Sequence, residues 1–154
     1  MQLTYIFKYM IIACDFDGTI VEHRYPQIGM EKPFATEILK RLISERHKIV
    51  LWTLRKGELL DEAVKWCADR GVHFYAVNNE NSEMFNEERD KDFSCKLQAD
   101  FFIDDRNIGG LPDWPTIYKI IHEHKTFEQI IRRQVREEFS TQKPPTPKWM
   151  FWKK

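Results

Sequence analysis

Cysteine is scarce in this chain, which has three in 154 residues. Cys14, Cys67 and Cys95 are odd in number and widely spaced. They match neither the even set of a disulfide framework nor the close pairs of a zinc site. We interpret them as reduced thiols, which are typical of a cytoplasmic protein.

The chain also lacks net charge, long apolar segments and a secretory leader pattern. Basic and acidic residues both number 24, so the charge balance does not favour nucleic acid or an anionic membrane as a partner. No apolar run approaches the roughly 20 residues of a membrane-spanning helix. Residues 1–12 lack the small-residue cleavage site of a signal peptide. We therefore expect a cytoplasmic protein without a membrane partner.

A continuous apolar run that ends in two carboxylates organises the sequence. Residues 10–14 show no polar alternation, which is typical of a strand buried on both faces of a parallel sheet. Asp15 and Asp17 follow it, and Gly18 permits a sharp turn. Parallel sheets bind ligands beyond the carboxyl ends of their strands, and a metal ion commonly compensates clustered carboxylates there. A plain Asp-Gly turn is the alternative.

Apolar patterns predict strands and helices in alternation along the rest of the chain. Helical spacing predicts a helix after Pro33 that buries Phe34, Ile38 and Leu39, a second after Gly57, and a third at the Thr126 capping box. Further strands are predicted at 48–53, 72–77, 99–103 and 116–121. Residues 78–94 are polar and are interpreted as a solvated loop. Such alternation indicates an α/β fold with a parallel sheet.

The two ends of the chain differ from this pattern. Residues 1–9 are either an extra edge strand or an extension, and we predict a single domain over 1–142. The tail at 143–154 combines prolines with three large aromatic side chains, which favour burial. The tail packs on this chain's own core, joins a neighbouring subunit of a homo-oligomer, or binds a membrane surface or another partner.

Two motifs resemble those of the haloacid dehalogenase superfamily of phosphohydrolases. Residues 15–19, Asp-Phe-Asp-Gly-Thr, are similar to its DxDGT motif, and residues 101–105, an apolar strand ending in Asp104 and Asp105, are similar to its fourth motif. The resemblance spans residues 10–110. It implies a three-layer α/β/α, Rossmann-like fold with strand order 5-4-1-2-3. It implies no cap domain here, because the loop at 21–32 is too short for one.

The resemblance also implies roles for the carboxylates. Asp15 would be the nucleophile, and Asp17 the general acid and base. Asp15, the Asp17 carbonyl and one of the later pair would bind Mg²⁺. By position, Asp105 is the candidate for the direct ligand and Asp104 for a ligand through water.

Phosphate-binding candidates follow from the same resemblance. Thr53 matches the second motif, whose hydroxyl and neighbouring amides, here that of Leu54, bind phosphoryl oxygens. Lys96 is the candidate for the third-motif lysine, with Lys91 as the alternative. Arg55 and Arg106 flank the site in sequence and are candidates to hold substrate oxygens, although each also fits a structural or surface arginine.

Together these residues predict a Mg²⁺-dependent phosphatase that acts through an aspartyl-phosphate. The substrate is a phosphorylated small molecule or a phosphorylated macromolecule. A phosphotransferase with the same intermediate is one alternative, and a non-catalytic binding protein on this fold is another. The five histidines show no metal-ligand spacing and are interpreted as surface or core residues.

Overall fold

The structure is a computed structural model that describes residues 9–78, 96–126, 128–130, 132–133 and 136. In this part of the chain a four-stranded parallel sheet alternates with helices, which makes the fold α/β. The elements are β1 (Ile11–Cys14), α1 (Ala35–Ser44), β2 (Lys48–Leu51), α2 (Glu58–Ala68), β3 (Ala76–Val77), β4 (Phe101–Ile103) and α3 (Trp114–His122).

The sheet places β1 at its centre, in the order β3-β2-β1-β4. Ile12, Ala13 and Cys14 are almost completely buried, as expected for a strand with neighbours on both sides. Cys14 lies opposite Leu51 of β2 and Ile103 of β4. The three strands therefore end at the same level, and the residues that follow them leave the sheet side by side.

The predicted fifth strand is wrong, because residues 116–121 lie in α3. Asp113 caps this helix by accepting hydrogen bonds from the backbone N–H of Thr116 at 2.9 Å and from its hydroxyl at 2.9 Å. Pro115 suits the first turn of a helix, and the apolar residues after it recur at helical spacing. Among the described residues the strand order is thus 4-1-2-3, without the fifth strand.

The start of α1 also departs from the prediction. Phe34 is 56% exposed and precedes the helix with φ 67°, so it does not contribute to the buried stripe. Thr36 is buried instead, and its backbone N–H and hydroxyl donate to Glu31 Oε1 at 3.0 and 2.6 Å. Ile38 and Leu39 are buried as predicted.

Two of the three cysteines fall in the described core. Cys14 and Cys67 are free thiols, as predicted, and both are buried. Burial raises the pKa of Cys67 to about 12, and it also raises the pKa of Cys14 well above its usual range. Neither thiol is thus poised as a nucleophile.

The chain divides into two compact units, Met1–Thr116 and Ile117–Lys154. In the second, Thr126 and Gln129 form the predicted capping box, with reciprocal hydrogen bonds of 2.9 and 3.2 Å. The predictions for residues 1–8, for Lys91 and Cys95 and for the tail at 143–154 lie outside the described residues. Within the described residues, none of the helices is both long enough and apolar enough to span a bilayer.

Candidate active site

Three carboxylates meet where β1 and β4 end. Asp15 follows β1, and Asp104 and Asp105 follow β4. One oxygen from each of the three lies within 4.8 Å of the others. The backbone N–H of Asp15 donates to the Ile103 carbonyl at 3.0 Å, which joins the two strand ends. We call Asp15, Asp104 and Asp105 the carboxylate triad.

The carboxylate triad concentrates negative charge at a half-buried position. Burial raises the pKa of Asp15 to about 6; a backbone hydrogen bond from Phe16 opposes this, and the charges of Asp104, Asp105 and Asp17 add to it. Asp105 Oδ1 is buried and has no hydrogen-bond partner among the described residues. Several hard oxygens, one of them unpaired, suit Mg²⁺, which prefers oxygen ligands.

Gly18 and Thr19 shape the space around the triad. Gly18 has φ 88°, and a Cβ on it would lie 2.1 Å from Asp105 Oδ2, so only glycine admits the carboxylate. The Thr19 hydroxyl donates to Asp15 Oδ2 at 3.4 Å and accepts from the Asp105 backbone N–H at 3.1 Å. Sequence reasoning gave Thr19 no role, although its place in the motif was a signal for one.

Asp17 lies outside the triad and pairs with Arg55. Arg55 is completely buried, and its Nε and Nη2 donate to the two Asp17 carboxylate oxygens at 2.7 and 2.8 Å. Its Nη1 and Nη2 also donate to the carbonyls of Pro26 and Gln27, both at 3.0 Å. The predicted role of Arg55 as a substrate ligand is untested, but most of its donors already bind protein oxygens.

Thr53 and Asn78 lie together beyond β2 and β3. The Thr53 backbone N–H donates to Asn78 Oδ1 at 2.8 Å, and the Thr53 hydroxyl accepts from the Arg55 backbone N–H at 3.3 Å. Asn78 Nδ2 also donates to the Arg55 carbonyl at 3.5 Å. Asn78 was placed in a solvated loop. Its position directly after an apolar strand, like that of Asp15, was the available signal.

A cavity of about 540 Å³ lies at this site, and Asp105 is not among its described lining residues. Its lining contains most of the predicted site residues, namely Asp15, Asp17, Thr53, Leu54, Arg55, Asp104 and Arg106. Asn78 and three unpredicted residues, His23, Tyr25 and Trp52, complete it. No sequence motif identified these three, because a loop and a strand end bring them to the cavity only in the folded chain.

Lys96 is exposed and precedes β4. Unlike the residues just named, it is not part of the described cavity lining. Its assignment as the third-motif lysine stays a prediction, and the alternative, Lys91, lies outside the described residues.

Comparison with known proteins gives one solved structure to report. No protein-family profile matches the chain, and no curated protein matches it. The chain is similar to a conserved protein from Bacteroides thetaiotaomicron, with 58% sequence identity and a TM-score of 0.71. The match covers 80% of this chain and 98% of that protein's chain. The likeness therefore extends over nearly all of the Bacteroides protein.

Proposed function

This chain belongs to the family of the conserved Bacteroides thetaiotaomicron protein, and for this member we propose a Mg²⁺-dependent phosphatase activity of the haloacid dehalogenase type. One observation carries the proposal. Asp15 and Asp17 line the same cavity but have opposite surroundings, since Asp15 lies among carboxylates and Asp17 is held by an arginine. A nucleophile that binds a cation and a second carboxylate that carries a proton need different surroundings, as Asp15 and Asp17 have here.

The reaction begins with Asp15. Mg²⁺ would be held by Asp15, Asp105 and the Asp17 carbonyl, with Asp104 acting through water, and when bound it would offset the repulsion between nucleophile and phosphate. An Asp15 carboxylate oxygen attacks phosphorus and forms an aspartyl-phosphate while the ester P–O bond breaks. Thr19, which donates to Asp15 Oδ2, orients the attacking carboxylate.

Asp17 moves the protons. In the form that carries a proton, it donates that proton to the leaving alkoxide. As a carboxylate, it then accepts a proton from the water that attacks the aspartyl-phosphate, which releases inorganic phosphate and restores Asp15 and protonated Asp17. Arg55 acts as a positioning residue, since its two-point contact fixes the plane of the Asp17 carboxylate. Arg55 also donates hydrogen bonds to the carbonyls of Pro26 and Gln27, which hold the neighbouring loop in place.

The phosphoryl oxygens are assigned to the loop after β2. Thr53 offers its hydroxyl and Leu54 its backbone N–H, and Asn78 holds this loop through Thr53. Arg106 lines the cavity and adds a positive charge near the carboxylate triad. We keep Lys96 as the proposed neutralising lysine. The proposed compartment is the cytoplasm, since Cys14 and Cys67 are free thiols.

Release of phosphate from an aryl phosphate tests the proposal. We expect turnover with Mg²⁺, loss of turnover on chelation, and no turnover in Asp15→Asn. Asp17→Asn is expected to be impaired most with poor leaving groups, which need a proton. Asp69→Asn is the control, because Asp69 is exposed and directly follows α2. We expect it to keep wild-type turnover. Wild-type turnover in Asp15→Asn would show that the nucleophile is wrongly assigned, and phosphate transfer to an added alcohol would indicate a phosphotransferase.

A further inference from the structure

The cavity contains three large aromatic or apolar side chains. Tyr25, Trp52 and Leu54 are part of its lining, and they are 54%, 36% and 74% exposed. Large apolar side chains that remain exposed within one concavity are typical of a ligand surface. A volume of about 540 Å³ also falls in the range of sites that hold a drug-sized molecule, so the cavity has room for more than a phosphoryl group.

The Tyr25 ring is held in place from one side. The Arg55 guanidinium carbon lies 5.4 Å from the centre of this ring, within the range of a cation–π contact. Arg55 also donates to the carbonyl of Pro26, the next residue in the chain. The arginine that holds Asp17 thus also holds Tyr25, and a stacking partner would meet a surface that is already ordered.

Trp52 and Leu54 are fixed to the proposed phosphate-binding residue, because they precede and follow Thr53 in the chain. The Trp52 backbone N–H donates to the Cys14 carbonyl at 2.8 Å and so continues the β1–β2 pairing. A phosphate held at Thr53 would therefore bring the rest of its ester close to Trp52 and Leu54.

We propose that Tyr25, Trp52 and Leu54 form a subsite for a planar aromatic ring of the substrate, and that the substrate class is nucleoside monophosphates. The inference rests on the proposed phosphatase function. Aromatic side chains stack on any nucleobase, since every base offers a π face. Arg106 and His23 line the same cavity and offer hydrogen-bond donors to ribose or base. A small polyol phosphate would leave these three side chains uncovered.

A matched pair of substrates tests the subsite in the wild-type protein. Adenosine 5′-monophosphate and ribose 5-phosphate carry the same primary phosphate ester and differ by the base. We expect kcat/KM to be higher for the nucleotide by about tenfold or more, which is the usual effect of one stacked base. The measured quantity is the ratio of the two kcat/KM values with Mg²⁺ present.

Variants then locate the effect. Tyr25→Ala and Trp52→Ala are expected to lower this ratio toward one, and Tyr25→Phe, which keeps the ring, to preserve it. Tyr9→Ala is the control, because Tyr9 is also 54% exposed but is not part of the described cavity lining. Melting temperatures report folding. If Trp52→Ala does not fold, the wild-type ratio and the two Tyr25 variants decide.

The outcomes separate this inference from the function on which it rests. Release of phosphate from an aryl phosphate with a nucleotide-to-ribose ratio near one overturns the subsite and leaves the phosphatase standing. A high ratio that neither alanine variant lowers also overturns the subsite. No release from any ester, with Mg²⁺ present, overturns both proposals.

Discussion

The Asp17–Arg55 pair and the carboxylate triad lie at the same end of the sheet, yet they solve the problem of buried charge differently. Asp17 has a completely buried arginine at 2.7 Å, and that arginine also binds two carbonyls. The triad gathers Asp15, Asp104 and Asp105, and the buried Asp105 Oδ1 lacks a hydrogen-bond partner among the described residues. Asp17 therefore has its counter-charge within the chain, whereas the triad has the clustered carboxylates that the proposed Mg²⁺ site requires.

The largest expected effect comes from breaking the pair. Arg55→Met would leave Asp17 without its partner, and removing one member of a buried ion pair typically costs about 3–5 kcal/mol. The unfolding free energy of the metal-free protein, from denaturant titration, measures this. Lys65→Met breaks the exposed Lys65–Asp69 pair and should cost under about 1 kcal/mol. Equal losses of unfolding free energy in the two variants would mean that the buried Asp17–Arg55 pair stabilises the fold no more than an exposed pair does.

The space beside the triad gives the next effect. Gly18→Ala adds a Cβ where Asp105 Oδ2 lies, so we expect loss of the Mg²⁺-induced rise in melting temperature. Gly109→Ala is the control, because Gly109 has φ 102° and open space around it. Both variants should lose about 1–2 kcal/mol from backbone strain. A normal Mg²⁺ response in Gly18→Ala would show that Asp105 is not needed as a ligand.

The two members of the triad after β4 are expected to differ in Mg²⁺ affinity. Asp104 Oδ1 already accepts the Arg106 backbone N–H at 2.8 Å, whereas Asp105 Oδ1 has no partner among the described residues. Asp105→Ala should therefore weaken Mg²⁺ binding more than Asp104→Ala, by about tenfold. Calorimetric titration of both variants measures this, and the opposite order would exchange the direct ligand and the ligand through water.

The smallest effect is on the pH dependence of stability without metal. The pKa of Asp15 is raised from 3.8 to about 6, so the folded state binds its proton more tightly than the unfolded chain. Stability from this group is therefore full below about pH 4 and falls as the pH rises through about 6. Asp15→Asn removes that loss and should be more stable above pH 6, on the order of 1 kcal/mol, because the site is partly exposed. Equal stability of variant and wild type at pH 8 would contradict this.

The two central strands were predictable because β1 and β2 are buried over most of their length and consist of nearly continuous apolar residues. The predicted alternation of strands and helices is confirmed from β1 to β3, and β4 is confirmed as a further parallel strand of the sheet. The segment at 116–121 was mistaken for a strand because Ile117, Ile120 and Ile121 suit either a strand or a helix in so short a run. The Asp113 side chain favours the helix by accepting a hydrogen bond from the Thr116 backbone N–H, and the spacing of apolar residues does not reveal that bond.

The site residues were predictable where a polar side chain follows a strand closely in the sequence. Asp15, Thr53 and Asp104 came together because parallel strands end at one edge. The pairing of Asp17 with Arg55 was not predictable, since charge alone does not say which of many arginines becomes buried. Tyr25 was missed because loop geometry brings it to the cavity. Trp52, directly after β2, was missed because its apolar side chain was interpreted as part of the strand.

The hydrogen bonds of the site also differ in the sequence separation between their donor and acceptor residues. Asp17 and Arg55 are 38 residues apart, whereas the bond between Thr19 and Asp105 spans 86 residues. Closing a longer loop costs more chain entropy and needs more of the chain to be present. During synthesis on the ribosome, Asp17 can therefore meet Arg55 well before β4 emerges. The proposed cation site needs Asp104 and Asp105, so a nascent chain that ends before β4 would lack two of its three carboxylates.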